Sequence, residues 1–352
     1  MALARYVGVS MPGGRALLMP SIAVFRHDAF LRYWIMRQAN SAARQMMAVA
    51  IGWQVYDIAR QTRSVEESAL MLGMVGLAQF APVLLLSLVG GQAADRLDRK
   101  MILILTNIGR GLCMLVLVAS PFFEGPTALW VMHAFSPAAA SALFARLIPR
   151  DELRQAIAWN SLGFQAAAIT GPAVAGLLYI AGPTTVYAAS FVLVMIGTYA
   201  IWTARTPRHE HVRGVNGRAL ILEGLRYVRN NRIVLGAISL DLIVVLFGGV
   251  TALLPVFARD ILHTDTVGLG LLRTAPAIGA AIVAFMLATR PLTRHVGGWM
   301  LGAIAVYGVA MIGFALSTLV ILSMAMLAIT GAADMISVYI RQSIIQLSTP
   351  QS

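Results

Sequence analysis

The feature that most constrains this chain is its repeated alternation of apolar runs, each about 20 residues long, with short charged links. A hydrocarbon core about 30 Å thick takes roughly 20 apolar residues per helical crossing, and the chain supplies that length again and again. A backbone crossing lipid must satisfy its own hydrogen bonds, so segments of this length are read as helices. Composition closes the alternative of a soluble globule. With 59% hydrophobic and 12% charged residues, too little polar surface exists to coat a water-soluble fold of 352 residues.

Hydropathy and charge punctuation predict ten helices, at roughly 29–57, 68–91, 101–120, 127–147, 155–180, 183–204, 233–258, 268–290, 297–316 and 318–345. Links on one side carry Arg96, Arg99 and Lys100, then Arg146 and Arg150, then Arg205 to Arg232, then Arg290 and Arg294. Links on the other side are nearly bare of basic residues, or offset them: Arg60, Arg63 and Arg259 are matched by Asp57, Glu66, Glu67, Asp260 and Asp265. The positive-inside rule makes the basic side cytoplasmic and places the N-terminus there. The net charge of +12 therefore reports topology, because its residues cap apolar segments and form no stripe for nucleic acid.

The longest polar stretch, 205–232, holds seven arginines and divides the chain. We expect a cytoplasmic N-terminal segment at 1–27, a six-helix half at 28–204, a basic cytoplasmic linker at 205–232, and a second half at 233–352 with four helices. The single cysteine, Cys113, excludes a disulfide framework. No nucleotide loop, metal-ligand cluster or nucleophile motif is present, so neither an ATP-driven pump nor a membrane enzyme is expected, and no cofactor or metal.

The spacing of Gly91, Asp95, Arg96, Arg99 and Lys100 resembles the signature loop of the major facilitator superfamily, with Ala93 and Asp98 standing where that pattern has Leu and Gly. Pro137, Asn160, Ser161, Gly171, Pro172 and Gly176 resemble its bacterial enterobactin-exporter-like subgroup, the transmembrane secretion effectors. So do Asp241, Gly248, Gly249, Pro255, Gly270, Arg273, Pro276, Asp334 and Arg341. The resemblance implies an all-α polytopic membrane protein of the major facilitator fold, with about ten of its twelve transmembrane helices present. It implies a secondary active transporter in the bacterial inner membrane, exporting a small organic molecule (siderophore, drug or metabolite) by alternating access with proton antiport. Its partners would be substrate, protons and lipid. Because the chain stops after the tenth predicted helix, a truncated chain is expected, and the competing expectation is a non-transporting remnant or scaffold of the same fold.

Within that frame, several residues carry more than packing. The signature loop would act as a conformational switch. On the fifth predicted helix, Gly171, Pro172 and Gly176 fit either close helix packing with a hinge or an antiporter motif. Arg37, Asn40, Ser41 and Arg44 recur at three- and four-residue intervals on one face of the first helix and are candidates for a cavity wall. Two arginines there suit an anionic or phenolic cargo or a partner carboxylate, although Arg37 is also placed to snorkel to the surface. Asp241 and Asp334 are the only acidic residues well inside predicted helices, and with Arg341 they are the proton-coupling candidates, the alternative being a static Asp241–Arg341 bridge.

Overall fold

The computed structural model describes residues 25–74, 76, 99–118, 153–205, 235–236, 239, 249–290 and 296–348. Among these, the ordered elements are helical. They are α1 (Asp28–Arg60), α2 (65–74), α3 (Arg99–Val118), α4 (Leu153–Tyr179), α5 (Pro183–Thr203), α6 (Thr266–Thr289), α7 (Val296–Leu316) and α8 (Val320–Ser348). Six of them contain a span long and apolar enough to cross a bilayer. The expected helix at 127–147, the linker beyond Arg205 and the segment 1–24 lie outside the described residues.

Local chemistry explains the helix ends. Asp28 opens α1 and Arg60 closes it, each charge opposite in sign to the nearby end of the helix dipole. Ser64 and Glu67 form a reciprocal capping box at the start of α2: the Glu67 amide donates to Ser64 Oγ at 3.2 Å and the Ser64 amide to Glu67 Oε2 at 3.3 Å. Gly182, with φ of 101°, makes the left-handed turn into α5, which begins at Pro183. Asp265 caps α6, accepting from the Gly268 amide at 2.9 Å.

The predicted boundaries need one substantive correction. The seventh predicted helix was expected to run unbroken to 258. Its described end is instead a 3-10 turn (Gly249–Ala252), a short α segment (Leu254–Val256) and a π turn (Phe257–Ile261). Pro255 interrupts the amide ladder there, and the looser π winding carries the polypeptide to Ile261. Smaller shifts lengthen α1 to Arg60 and α8 to Ser348.

The helices pack in two groups. In the first, α1 lies against α5 and α4, and α5 also against α3; in the second, α8 lies against both α6 and α7. The groups meet where α4 packs on α6. Large apolar side chains point outward from this bundle, among them Ile321 at 84% exposed and Val309 at 71%. A surface of that kind is stable only against lipid. We call the end holding Asp28, Arg99, Thr203 and Thr289 proximal, and the end holding Arg60, Tyr179 and Thr266 distal.

Candidate functional site: the polar face of the first helix and the seam between groups

Successive residues of an α-helix turn about 100°, so the neighbours of α1 can be placed around its axis. Met36 and Ala39 face α5, where Gly197 lets the backbones approach. Gln38, Ala42 and Gln45 face α4, opposite Gly163 and Gly171. Asn40 faces α3 and donates from Nδ2 to Asn107 Oδ1 at 3.0 Å. Arg37, Ser41 and Arg44 fall in the remaining sector, between α3 and α4.

Four residues expected on one face are therefore divided. Asn40 belongs to a helix–helix hydrogen bond, whereas Arg37, Ser41 and Arg44 share the open sector. Arg44 is exposed, and its guanidinium lies 5.8 Å from the centroid of the Phe164 ring of α4. Arg37 contacts Tyr33 Oη at 3.5 Å, a weak bond one turn toward the surface. Arg44 lies within the electrostatic reach of Arg37 and also of Arg110 on α3, so like charges gather here. No salt bridge joins Arg37 or Arg44 to a carboxylate among the described residues. A lone cation at this depth costs on the order of 3 kcal/mol even on the lenient insertion scale, so water or an anion must serve it.

Buried polar atoms without hydrogen-bond partners surround the same part of the bundle. They include both amide atoms of Gln38, Asn40 Oδ1, Ser41 Oγ, Asn107 Nδ2 and Asn160 Oδ1. Such orphans are uncommon in a finished core and concentrate where something else must bind.

Pro172 and Gly176, singled out on the fifth predicted helix, lie on the contact between groups. A Cβ at Gly176 would come 2.6 Å from the carbonyl oxygen of Thr266, and one at Gly270 would come 2.5 Å from that of Pro172. Gly171 instead faces α1, where a Cβ would meet Gln45 Cβ at 2.7 Å. Hydrogen bonds stitch the seam: Thr266 Oγ1 donates to Gly176 O at 3.2 Å, Thr274 Oγ1 to Ile169 O at 3.0 Å, and Gln165 Nε2 to Ala277 O. Between helices in lipid each such bond contributes about 0.6 kcal/mol, so close backbone packing supplies most of the cohesion. The seam runs from Gly176 and Thr266 at the distal end to Gln165 and Ala277. Proximal to it, Leu162, Phe164, Ile282 and Phe285 are exposed.

A second connection crosses the groups at the distal end. Arg259 on the π turn pairs with Asp57 of α1, Arg60 pairs with Asp260 at 3.4 Å, and Tyr56 Oη donates to Asp260. Just below, half-buried Arg273 of α6 donates to the carbonyl oxygen of Ala48 of α1. In the sequence, Arg60 and Arg259 with Asp57 and Asp260 read as loop charges that offset one another. Their pairing across the groups was not legible, because it joins positions about 200 residues apart.

Of the remaining candidates, Gly91, Asp95, Arg96 and Asp241 lie outside the described residues, and of Arg99 only the backbone is described. Lys100 Nζ donates to Ala204 O at 2.7 Å, seating a cation on the C-terminal end of α5. Asp334 lies within electrostatic reach of Tyr307 on α7, and it makes no ion pair with Arg341, seven residues on. No group of three or more His, Cys, Asp or Glu suited to a metal occurs among the described residues.

Apolar helices in two groups, a glycine seam between them and a polar face carrying Arg37 and Arg44 are the features of a helical membrane transporter. Residues 19–352 match the family model of transmembrane secretion effectors, and the chain belongs to this family of major facilitator transporters. It is similar to the enterobactin exporter EntS of Escherichia coli O1:K1, at 26% identity over 93% of this chain and 79% of that one. The exporter of the same name from Citrobacter koseri is 25% identical over the same shares. Among solved structures, a bacterial homologue of the human lysosomal transporter Spinster, inward-facing and unoccupied, aligns with TM-score 0.66 at 14% identity, covering 91% of this chain and 75% of that one. A bacterial homologue of the iron transporter ferroportin, inward-facing, aligns with TM-score 0.61 at 15% identity, covering 94% and 86%. At such identities these structures speak to fold alone. The chain is thus a transporter and not an enzyme.

Proposed function

We propose that this chain exports a small organic molecule across a bacterial inner membrane by alternating access, with the proton gradient as the drive. Residues 28–204 and 233–352 are the two rocking units, joined by the basic linker 205–232. The proximal end is cytoplasmic, in keeping with the arginine-rich links on that side. The observation that carries this reading is the uneven contact between groups: the described ion pairs, close glycine contacts and hydrogen bonds between them lie between the distal end and the level of Gln165 and Ala277. Such geometry suits a protein open to the cytoplasm, from which an exporter loads. The named activity of its relatives, export of enterobactin, supports the direction.

Gly91, Asp95, Arg96, Arg99 and Lys100 act in switching between states, a role supported by the resemblance of their spacing to the signature loop and by their charge, which suits a cytoplasmic link between helices. Arg37, Ser41 and Arg44 line the path of cargo. Asp241 or Asp334 takes the proton, and Arg341 tunes it. Sealed vesicles reconstituted with the chain test this: cargo should move against its concentration only when a pH gradient is imposed. Equal movement with and without the gradient, or none at all, rejects gradient-driven export.

A further inference from the structure

The geometry points to an organic anion with a planar ring as the class of cargo, its acid group held by Arg44, Arg37 and Ser41. This rests on the transporter reading and adds the chemistry that reading leaves open. Three observations converge. Arg44 is exposed near the middle of α1, and its guanidinium carbon lies over the ring of Phe164. A guanidinium can grip a carboxylate or phenolate by two parallel hydrogen bonds, and no described carboxylate pairs with that of Arg44.

The second observation is repulsion. Arg37 acts electrostatically on Arg44, and the described acidic residues are Asp28, Asp57, Glu66, Glu67, Asp260, Asp265 and Asp334. None of these is paired with Arg37 or Arg44. A cluster of one sign, set in a region of low dielectric, draws an anion strongly and rejects a cation. The third is Ser41, which is 5% exposed, has no partner for its hydroxyl, and stands on the same sector one turn before Arg44. A hydroxyl there completes a donor set for an oxygen acid. Phe164, 43% exposed beside the guanidinium, offers a ring surface for stacking.

Three probes of similar shape and different charge, 2-naphthoate, 2-naphthamide and 2-naphthylmethylammonium, together with inorganic phosphate, separate the possibilities. Binding to the detergent-purified chain is measured by calorimetry. Naphthoate should bind roughly tenfold or more tightly than the amide or the ammonium, as expected for charge-assisted bonds in place of neutral ones. Arg44→Gln should remove that preference, and Arg44→Lys should keep most of it, which separates lost charge from lost folding. The proposal is overturned if the amide or the ammonium binds as well as naphthoate, if phosphate binds as well, if none binds, or if Arg44→Gln keeps the preference. Counterflow in vesicles distinguishes the two levels of the argument. Movement of the ammonium, unchanged in Arg44→Gln, rejects the anion site and leaves export standing. Arg44-dependent naphthoate binding without movement of any probe supports the anion site and rejects export.

Discussion

Asp57, in the last turn of α1, is paired with Arg259 across the two helix groups, and three residues on Arg60 makes the reciprocal pair with Asp260. Acid and base are exchanged between the two sides, so neither group carries a net charge into the contact. These pairs can close the distal end only while α1 and the π turn stay together, and they must break when that end opens.

Asp57→Asn is therefore expected to favour the distally open state. Arg259 and Asp57 are 36% and 44% exposed, and an ion pair so placed contributes up to about 1 kcal/mol, so the balance should move by up to roughly fivefold. Spin labels at Ile180→Cys and Leu319→Cys in a Cys113→Ser background should report longer distances. The swap of Asp57→Arg with Arg259→Asp should bring them back. Unchanged distances in Asp57→Asn would remove the latch from the mechanism.

The seam predicts a contrast between glycines. Gly270→Ala places a methyl 2.5 Å from the Pro172 carbonyl, with backbone rather than a movable side chain in the way, and should destabilise the protein by about 1–3 kcal/mol. Gly109→Ala on α3 meets nothing within 4 Å and should be neutral or stabilising by up to about 1 kcal/mol, since alanine favours the helix. Thermal unfolding in detergent measures both. Equal effects would mean that the seam is looser than described.

At position 44, Arg44→Cys in the Cys113→Ser background should react with a water-soluble thiol reagent, because an exposed arginine at the middle of α1 is far less costly against water than against lipid. Leu112→Cys, an exposed apolar position on α3, serves as the lipid-facing control and should react far more slowly. Reaction of both at the same rate would place Arg44 outside a wet cavity.

Proton coupling is tested by Asp241→Asn and Asp334→Asn. The variant lacking the proton site should lose accumulation driven by the pH gradient and keep exchange of cargo for cargo. If both variants still concentrate cargo in response to the gradient, the coupling carboxyl lies elsewhere.

Much of the architecture was legible because membrane helices are specified locally. Length, hydropathy and flanking arginines place α3, α5, α6 and α7 within a few residues, and Gly182-Pro183 marks the start of α5 by backbone geometry alone. The break at Pro255 could be suspected, but not the π turn beyond it, since that winding is stabilised by what Arg259 and Asp260 reach on α1.

The sequence alone marked this chain as a helical membrane protein of a recognisable family, and it left Gly171, Pro172, Gly176, Arg37 and Arg44 as candidates with packing or snorkelling as the alternatives. It did so because hydrophobic periodicity and the cost of intramembrane charge act residue by residue. Tertiary structure alone decided their partners: Gly176 against Thr266, Gly171 against Gln45, Arg44 over Phe164, and Asn40 diverted to Asn107. A helix repeats its faces every 3.6 residues whatever it packs against, so the sequence fixes which residues share a face, and only the packed bundle settles what that face meets.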